Sequence, residues 1–454
     1  MNKIDAGAQQ LEQDSQPDFS WRSEFYAWMV VALLAVAFTF SMIDRMILTL
    51  LVEPIKADFG LSDTEVSLLH GLAFTLLYVF VGLPMGWLAD RYSRRIIIGI
   101  SIFFWSFATV ACGMAANFMQ LFLARVSVGV GEAGLAPAAN SLIADYFPPE
   151  RLARPIAYFS IGGNAGVGLA YIFGGAVVDI VSGMGPISAP IIGEVRPWQT
   201  AFFVVGLPGM AFAFLFLLIR EPARRGRVKV EPPVRETAKL LWRRKDFFAP
   251  HFLASASAAL ALLSLHAWMP TFLIRTYGLT PGQAGGGYGL AVLIGGIGGL
   301  LFGGWLSDRL AGKGVEASHI VVARRLVLAA ILPAVCAPIA PTMTLTFLLA
   351  GIGIFGLAAA IALAPVALQI VVPNEMRGQV YAVYLLTLSL LGYAIGPTMV
   401  ALATDFIFAD EALVGRSMAL VAGVGAPLSL LFFTLSRRAY LKFGAVHERA
   451  APAD

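Results

Sequence analysis

The sequence predicts an all-α membrane protein with twelve transmembrane helices in two six-helix, pseudo-symmetric halves. Of its 454 residues, 58% are hydrophobic and only 13% are charged, which is far too apolar for a soluble domain. The apolar residues form runs of about 20 residues or more, each long enough to cross a hydrocarbon layer roughly 30 Å thick. An internal repeat then divides these runs into two related sets of six.

Twelve apolar runs follow one another along the chain. They cover residues 26–52, 65–89, 96–116, 118–144, 155–181, 198–219, 249–274, 283–307, 323–340, 342–371, 379–404 and 414–436. The first twenty residues are polar, with no apolar core and no cleavage pattern, so we do not expect a signal peptide there.

These runs define five regions of the chain. They are a cytoplasmic N-terminal tail (1–25), a first six-helix bundle (26–220), a cytoplasmic linker (221–248), a second bundle (249–437) and a cytoplasmic C-terminal tail (438–454). Residues 220–248, the linker with the residue before it, carry ten Lys and Arg residues. A short amphipathic segment near Thr237–Trp242 could lie on the membrane and contact anionic lipid headgroups.

The distribution of basic residues predicts the orientation. With both termini in the cytoplasm, all but six of the 32 lysines and arginines lie in cytoplasmic segments, as the positive-inside rule requires. The exceptions are Lys56, Arg196, Arg275 and Arg416 outside and Arg45 and Arg125 within helices. Because each basic cluster flanks a helix end, no nucleic-acid partner is predicted.

No motif for catalysis, metal binding or ATP use is found in the sequence. The segment Gly351-Ile-Gly-Ile-Phe-Gly356 matches a dinucleotide fingerprint but lies inside an apolar run with no strand before it. The histidines lack metal-ligand spacing. Cys112 and Cys336 lie in apolar runs, which indicates small buried residues rather than a disulfide framework. We therefore predict neither an enzyme nor a bound metal or cofactor.

Four charges lie inside two helices of the first half. Asp44 and Arg45 are adjacent in the first helix, so their side chains point about 100° apart and are expected to serve different partners. Arg125 and Glu132 are seven residues apart in the fourth helix and project from one face. Charges at such depth are costly and usually mark a substrate or proton path. The alternative is that they only hold helices together.

A conspicuous motif follows the second helix, Gly86-Trp-Leu-Ala-Asp90-Arg91-Tyr-Ser-Arg94-Arg95. We expect Gly86 to permit close helix packing and the charged residues to form an ionic latch with neighbouring helices. The fifth helix carries closely spaced glycines around Asn164, which suit a helix that packs tightly and bends. Asn164 is predicted either to contact substrate or to bond another helix.

The second half repeats the first at an offset of about 220 residues. Gly304-Trp-Leu-Ser-Asp308-Arg309 corresponds to Gly86–Arg91, and Gly351 and Gly353 correspond to Gly129 and Gly131. Parallel repeats of this kind occur in membrane transporters. The intramembrane charges are not repeated, since the partners of Arg45, Arg125 and Glu132 are Leu263, Phe347 and Ile354. We infer that these charges serve function and that the second half supplies a more apolar wall.

These motifs resemble those of the major facilitator superfamily, over residues 26–437. The segment Gly86–Arg95 resembles the superfamily signature. Asp44-Arg45 and the stretch Arg125-Val-Ser-Val-Gly-Val-Gly-Glu132-Ala resemble the spinster family of lipid transporters. The Arg-x-x-x-Gly-x-Gly portion is shared with organic-anion/proton symporters.

The resemblance implies a secondary transporter that moves an amphipathic anionic lipid, such as a lysophospholipid or a sphingosine-phosphate-like molecule, coupled to protons. The alternative is a proton-coupled transporter of a small organic anion. It further implies a monomer among membrane lipids, in a bacterial cytoplasmic (inner) membrane.

We assign provisional roles on this basis. Asp44 and Glu132 carry protons, and Arg45, Arg125, Glu132 and Asn164 contact substrate. Arg45 and Arg125 neutralise the carboxylates when the cargo is absent. The latch comprises Gly86, Asp90, Arg91, Arg94, Arg95, Asp308 and Arg309.

Overall fold

A computed structural model describes residues 21–148, 151–189, 193–224 and 234–448. Within these ranges, twelve helices are long and apolar enough to cross a membrane, which confirms the predicted class. We number them as spans one to twelve in chain order. Parts of the predicted N-terminal tail, linker and C-terminal tail lie outside the described residues.

The spans consist of these helical segments. In the first half they are Trp21–Leu50, Val52–Phe59, Asp63–His70, Leu72–Arg91, Arg94–Gly113, Phe118–Glu132, Leu135–Tyr146, Ala153–Met184 and Pro197–Ala213, the last extended by the 3₁₀ turn Phe214–Leu218. A two-stranded antiparallel ribbon, Ile187–Ala189 with Gly193–Val195, precedes the sixth span.

The linker contributes the helix Val234–Arg243, and the second half follows it. Its α-helices are Lys245–Tyr277, Pro281–Ala311, Ser318–Cys336, Met343–Val371, Arg377–Ser389, Gly396–Leu402 and Val414–Glu448. Short 3₁₀ turns cover Ala337–Ile339, Asn374–Met376 and Glu411–Leu413. The eleventh span contains two π-helical segments, Leu390–Ile395 and Ala403–Phe408.

Several boundaries differ from the sequence expectation. The seventh span begins at Lys245, before the predicted 249. The twelfth helix continues to Glu448, beyond the predicted end at 436. Both helices continue through polar residues beyond the apolar run. The apolar run therefore does not set the ends of the helix. The predicted surface helix is present, and its Trp242 is exposed.

Two spans of the first half are interrupted within their length. The second span breaks at Gly71, after a helix whose N-terminus is closed by a capping box between Ser62 and Glu65. The fourth breaks at Ala133–Gly134, directly after Glu132. These breaks place Glu132 at a helix end within the membrane.

Glycines bring several spans into close contact, as the sequence predicted. A methyl group at Gly129 would collide with the Phe74 carbonyl oxygen on the second span, and one at Gly131 would collide with Trp105 on the third. In the fifth span, Gly162 packs on Ala35, and Gly168 packs on Leu293 of the eighth span.

Ion pairs join the two halves at the end of the bundle away from the termini, which we call the distal face. Arg275 of the seventh span pairs with Asp63 (2.7 Å) and Glu53 (2.8 Å), and Lys56 pairs with Glu411 (2.8 Å). Lys56 also pairs with Asp63 within the first half. Asp63 is fully buried in this cluster. We call the opposite end, where the first and twelfth spans have their chain termini, the terminal face.

Candidate functional site

Two of the four intramembrane charges, Arg45 and Glu132, meet between the first and fourth spans. Arg45 Nη2 lies 2.5 Å from Glu132 Oε2, and the Ser41 hydroxyl donates to the same oxygen at 2.7 Å. Both charged side chains are buried. The other carboxylate oxygen of Glu132 has no hydrogen-bond partner among the described residues. The pair is therefore only partly satisfied, which leaves it open to exchange with a proton or a ligand.

Arg125 does not pair with Glu132. Its Nη1 donates to the backbone carbonyl of Asp44 at 2.9 Å and its Nη2 to that of Arg45 at 3.2 Å. Among the described residues Arg125 forms no ion pair with a carboxylate, because its planar guanidinium forks onto two successive carbonyls. Its charge still acts on Asp44, so the expectation that it neutralises a carboxylate at rest stays a prediction. Arg125 and Glu132 do face the same helix, as their spacing predicted, but they bind different groups on it.

Asp44 points away from Arg45, as expected for adjacent helical residues. It is fully buried, and both carboxylate oxygens lack a hydrogen-bond partner in the described part of the chain. Trp105 and Thr109 of the third span lie beside its carboxylate, and the charges of Glu132 and Arg125 on the fourth span act on it. A buried carboxylate without hydrogen bonds is a candidate proton carrier, since burial without partners disfavours its charged form.

An aromatic cage surrounds the Arg45 guanidinium. Its central carbon lies 4.0 Å from the ring centroid of Phe74, 5.5 Å from that of Tyr78 and 5.2 Å from that of Tyr393. Tyr393 comes from the eleventh span, so the second half contacts the charged site directly. Cation–π contacts of this kind hold a buried guanidinium in place.

A small cavity of about 20 Å³ lies between Arg45 and the second half. Its lining includes Thr49 and His70 from the first half and Leu263, His266 and Tyr393 from the second. His70, His266 and Tyr393 were not among the predicted site residues. The second half, predicted to supply a more apolar wall, contributes the polar side chains of His266 and Tyr393 beside Leu263 at this position. His70, His266 and Tyr393 are uncharged polar residues in apolar runs. A comparison of charged residues between the two halves therefore could not identify them.

Asn164 does not join this cluster. Its side-chain nitrogen donates to the Ser160 carbonyl one turn earlier, at 3.0 Å, and the residue is exposed. In this conformation Asn164 satisfies its own helix rather than another helix, and its substrate role stays a prediction.

The predicted latch residues contact their own halves in this conformation. Arg94 pairs with Asp145 of the fourth span and with Glu221 (2.8 Å). Arg95 donates to the carbonyls of Leu217 and Ile219. The Asp90 carbonyl accepts from Arg224.

The remaining latch charges rest on aromatic rings. Arg91 stacks on Trp87, and Arg309 stacks on Trp305, two residues that correspond in the repeat. The two halves thus hold their signature arginines in the same way. Asp308 lies on the same helical turn as Arg309, at the terminal end of the eighth span.

Glu221 lies just beyond the sixth span and anchors the signature loop. Burial alone would raise its pKa, but hydrogen bonds from Arg94, Arg95 and Ser93 outweigh this and hold the pKa below its usual value.

The expected close packing at Gly86 is not observed. A methyl group added at Gly86, or at its repeat partner Gly304, would meet no heavy atom within 4 Å. The expectation is wrong for this conformation, because neither position faces a neighbouring helix.

Comparison with known proteins agrees with the fold. The family model of the Major Facilitator Superfamily matches residues 33–397. An MFS-type efflux pump of Mycolicibacterium smegmatis is 30% identical over 420 residues, 91% of this chain and 93% of that protein. Protein spinster homolog 1 of Homo sapiens is 29% identical over 402 residues, 83% of this chain and 73% of that protein.

A solved structure shows the same fold. It is a bacterial homolog to the human lysosomal transporter spinster, in an inward-facing and unoccupied conformation. It superimposes with a TM-score of 0.73 and 28% identity, covering 92% of this chain and 96% of the other. The chain resembles spinster proteins over nearly its whole length. It is a multi-pass membrane transporter and not an enzyme, and its bacterial relatives support the predicted inner-membrane location. The chain belongs to the major facilitator superfamily.

Proposed function

We propose that this transporter moves an amphipathic anionic lipid across the membrane by proton-coupled alternating access. The observation that carries the proposal is the buried Arg45–Glu132 pair, held under an aromatic cage that both halves complete. A guanidinium at this place can exchange its carboxylate partner for the phosphate or carboxylate of a headgroup, with charge-assisted hydrogen bonds of the same kind. The resemblance of Asp44-Arg45 and the Arg125–Glu132 stretch to the spinster family of lipid transporters favours a lipid as cargo.

Proton coupling rests on two buried carboxylates. When a headgroup binds Arg45, Glu132 loses its cation and can take up a proton. Asp44, whose carboxylate faces the third span, carries a second proton. No described group donates a hydrogen bond to its oxygens. Both carboxylates lie next to Arg125 or Arg45, so cargo and protons compete for the same local positive charge.

Alternating access requires the halves to separate first at one face and then at the other. The ion pairs of Arg275 and Lys56 hold the distal face together in this conformation. In our proposal, cargo enters from the terminal face, and cargo binding at Arg45 precedes rupture of the distal pairs. The signature loops around Arg94 and Arg309 then meet and close the terminal face.

Transport in liposomes tests this proposal. The purified protein is reconstituted and supplied with a fluorescent lysophosphatidic acid, a neutral monoacylglycerol analogue or a radiolabelled short carboxylate, with and without a pH gradient. We expect gradient-dependent movement of the anionic lipid only. Asp44→Asn and Glu132→Gln variants should each lose the dependence on the gradient.

Two results would overturn parts of the proposal. Movement of the short carboxylate but not the lipid would replace lipid cargo with a small organic anion. Wild-type gradient dependence in both carboxylate variants would remove Asp44 and Glu132 from the coupling mechanism.

A further inference from the structure

The cavity beside Arg45 is lined by hydrogen-bond donors from both halves. Arg45, His70 and His266 are each more than nine-tenths buried and line it together with the half-buried Tyr393. Nε2 of His70 and Nε of Arg45 have no hydrogen-bond partner among the described residues. The lining, all of it within the described ranges, contains no carboxylate. A buried lining with a guanidinium, unpartnered nitrogens and no carboxylate suits an oxyanion.

A buried contact orients His266 toward the cavity. Its Nδ1 lies 2.8 Å from the hydroxyl of Tyr288 on the eighth span, which leaves Nε2 as the ring nitrogen available to a ligand. Tyr288 packs edge-on against Tyr171 of the fifth span, whose hydroxyl donates to the His266 carbonyl at 2.5 Å. Tyr288 of the same half therefore fixes the imidazole, and Tyr171 of the first half fixes the backbone that carries it.

Tyr393 is positioned by an irregular stretch of backbone. It lies in the π-helical segment Leu390–Ile395, and its carbonyl oxygen packs against Gly71, where any side chain would collide with it. Gly71 is also the break in the second span, one residue after His70. π-Helical segments are rare and occur frequently at functional sites. Two departures from regular helix thus converge on one cavity.

We propose that this cavity is an oxyanion subsite that joins the two halves, with Arg45 and His70 on one side and His266 and Tyr393 on the other. The inference rests on the proposed function and names the groups that bind the headgroup phosphate or carboxylate. At about 20 Å³ the cavity holds one water molecule in this conformation. A phosphate is larger than this cavity, so its entry must push His266 and Tyr393 outward. Binding at Arg45 thereby moves side chains of the second half.

Equilibrium binding to the full-length protein in detergent tests the subsite. The probes are 1-oleoyl-lysophosphatidic acid, sn-glycerol 3-phosphate and neutral monooleoylglycerol. We expect His266→Gln and His70→Gln each to weaken binding of the lysophosphatidic acid about tenfold, the loss of one charge-assisted hydrogen bond. Tyr393→Phe, which keeps the ring over Arg45, should weaken it about threefold.

His319→Gln is the matched control, because His319 is another buried histidine of the second half that lies outside the cavity, against Tyr440. Each variant is compared only as monodisperse protein with a melting temperature near that of the wild type. If a histidine variant fails this requirement, Tyr393→Phe alone carries the test, because it changes a single hydroxyl.

The outcomes separate this inference from the proposed function. Binding of no probe by the wild type would refute the lipid cargo, whereas wild-type binding with unchanged affinity in His266→Gln and Tyr393→Phe would refute only the subsite. Equal affinity for the neutral and anionic lipids, or an equal loss in His319→Gln, would also refute it. His266-dependent binding of glycerol phosphate as tight as that of the lysolipid would support the subsite and identify its ligand as a soluble phosphate ester.

Discussion

Glu132 reaches back from a break in the fourth span to bind Arg45 at 2.5 Å, while Arg125, seven residues earlier on the same helix, binds only the backbone beside Arg45. Two charges that share a helical face thus have different tasks. Arg125 fixes the first helix against the fourth. Glu132 holds the side chain that can meet cargo.

Replacing both members of the Arg45–Glu132 pair should separate its structural and functional roles. Removal of one partner leaves a buried charge uncompensated, so Arg45→Met or Glu132→Leu alone should lower the free energy of unfolding in detergent by about 3–5 kcal/mol. The double variant should recover most of this loss but transport nothing. Thermal unfolding and liposome transport are the measurements, and transport by the double variant would show that the pair is only structural.

Arg125→Lys should destabilise the protein although the charge is kept. An ammonium cannot fork onto the carbonyls of Asp44 and Arg45 as the guanidinium does. Loss of one charged hydrogen bond should lower the free energy of unfolding by about 1.5–3 kcal/mol. Lysophosphatidic acid binding to the folded variant should change less than in His266→Gln. A larger loss of affinity with unchanged stability would indicate that Arg125 contacts the headgroup.

Breaking the distal ion pairs should favour opening of that face. Arg275→Gln removes the contacts to Asp63 and Glu53 that join the halves. We expect on the order of fivefold faster labelling of a cysteine at Thr49 by an impermeant maleimide added from the distal side. The background carries Cys112→Ala and Cys336→Ala. Arg196→Gln is the control because Arg196 pairs with Asp58 within the first half; the same acceleration there would argue against a distal lock.

Acid should weaken the signature loop through Glu221. The pKa of this group is lowered in the folded protein, so its contribution to stability is present above its unfolded value of 4.5 and is lost as the pH falls below it. The melting temperature of the wild type should drop between about pH 5 and pH 3. Glu221→Gln should start from a lower melting temperature at pH 7 and decline less over that interval. Parallel declines would contradict the assignment.

Two glycines provide a matched test of helix packing. Gly129→Ala places a methyl group against the Phe74 carbonyl, and we expect a loss of about 1–3 kcal/mol from overpacking. Gly86→Ala meets no heavy atom within 4 Å and should be neutral or stabilising by up to about 1 kcal/mol, because alanine favours helix. Thermal unfolding compares them. A strongly destabilised Gly86→Ala would indicate that this glycine packs closely in another conformation.

The sequence by itself determined the class, the twelve spans and the importance of the intramembrane charges. Hydrophobic run length follows directly from bilayer thickness, and each buried charge stands out against an apolar run. Helical periodicity also predicted that Asp44 and Arg45 have different partners, and the closely spaced glycines predicted that the fifth helix packs tightly. These inferences depend on the geometry of a single helix, on the thickness of the bilayer or on the cost of placing a charge in it.

Only the tertiary structure decided which groups meet. Glu132 pairs with Arg45 rather than Arg125 because the fourth span breaks just after it, and sequence spacing does not reveal which helix lies opposite. His70, His266 and Tyr393 come together from three spans of both halves, two of them at irregular backbone. The first-half partners of Arg275, Asp63 and Glu53, lie more than 200 residues away in the sequence. Such pairings depend on how helices pack across the interface between the halves, which local patterns along one chain do not encode.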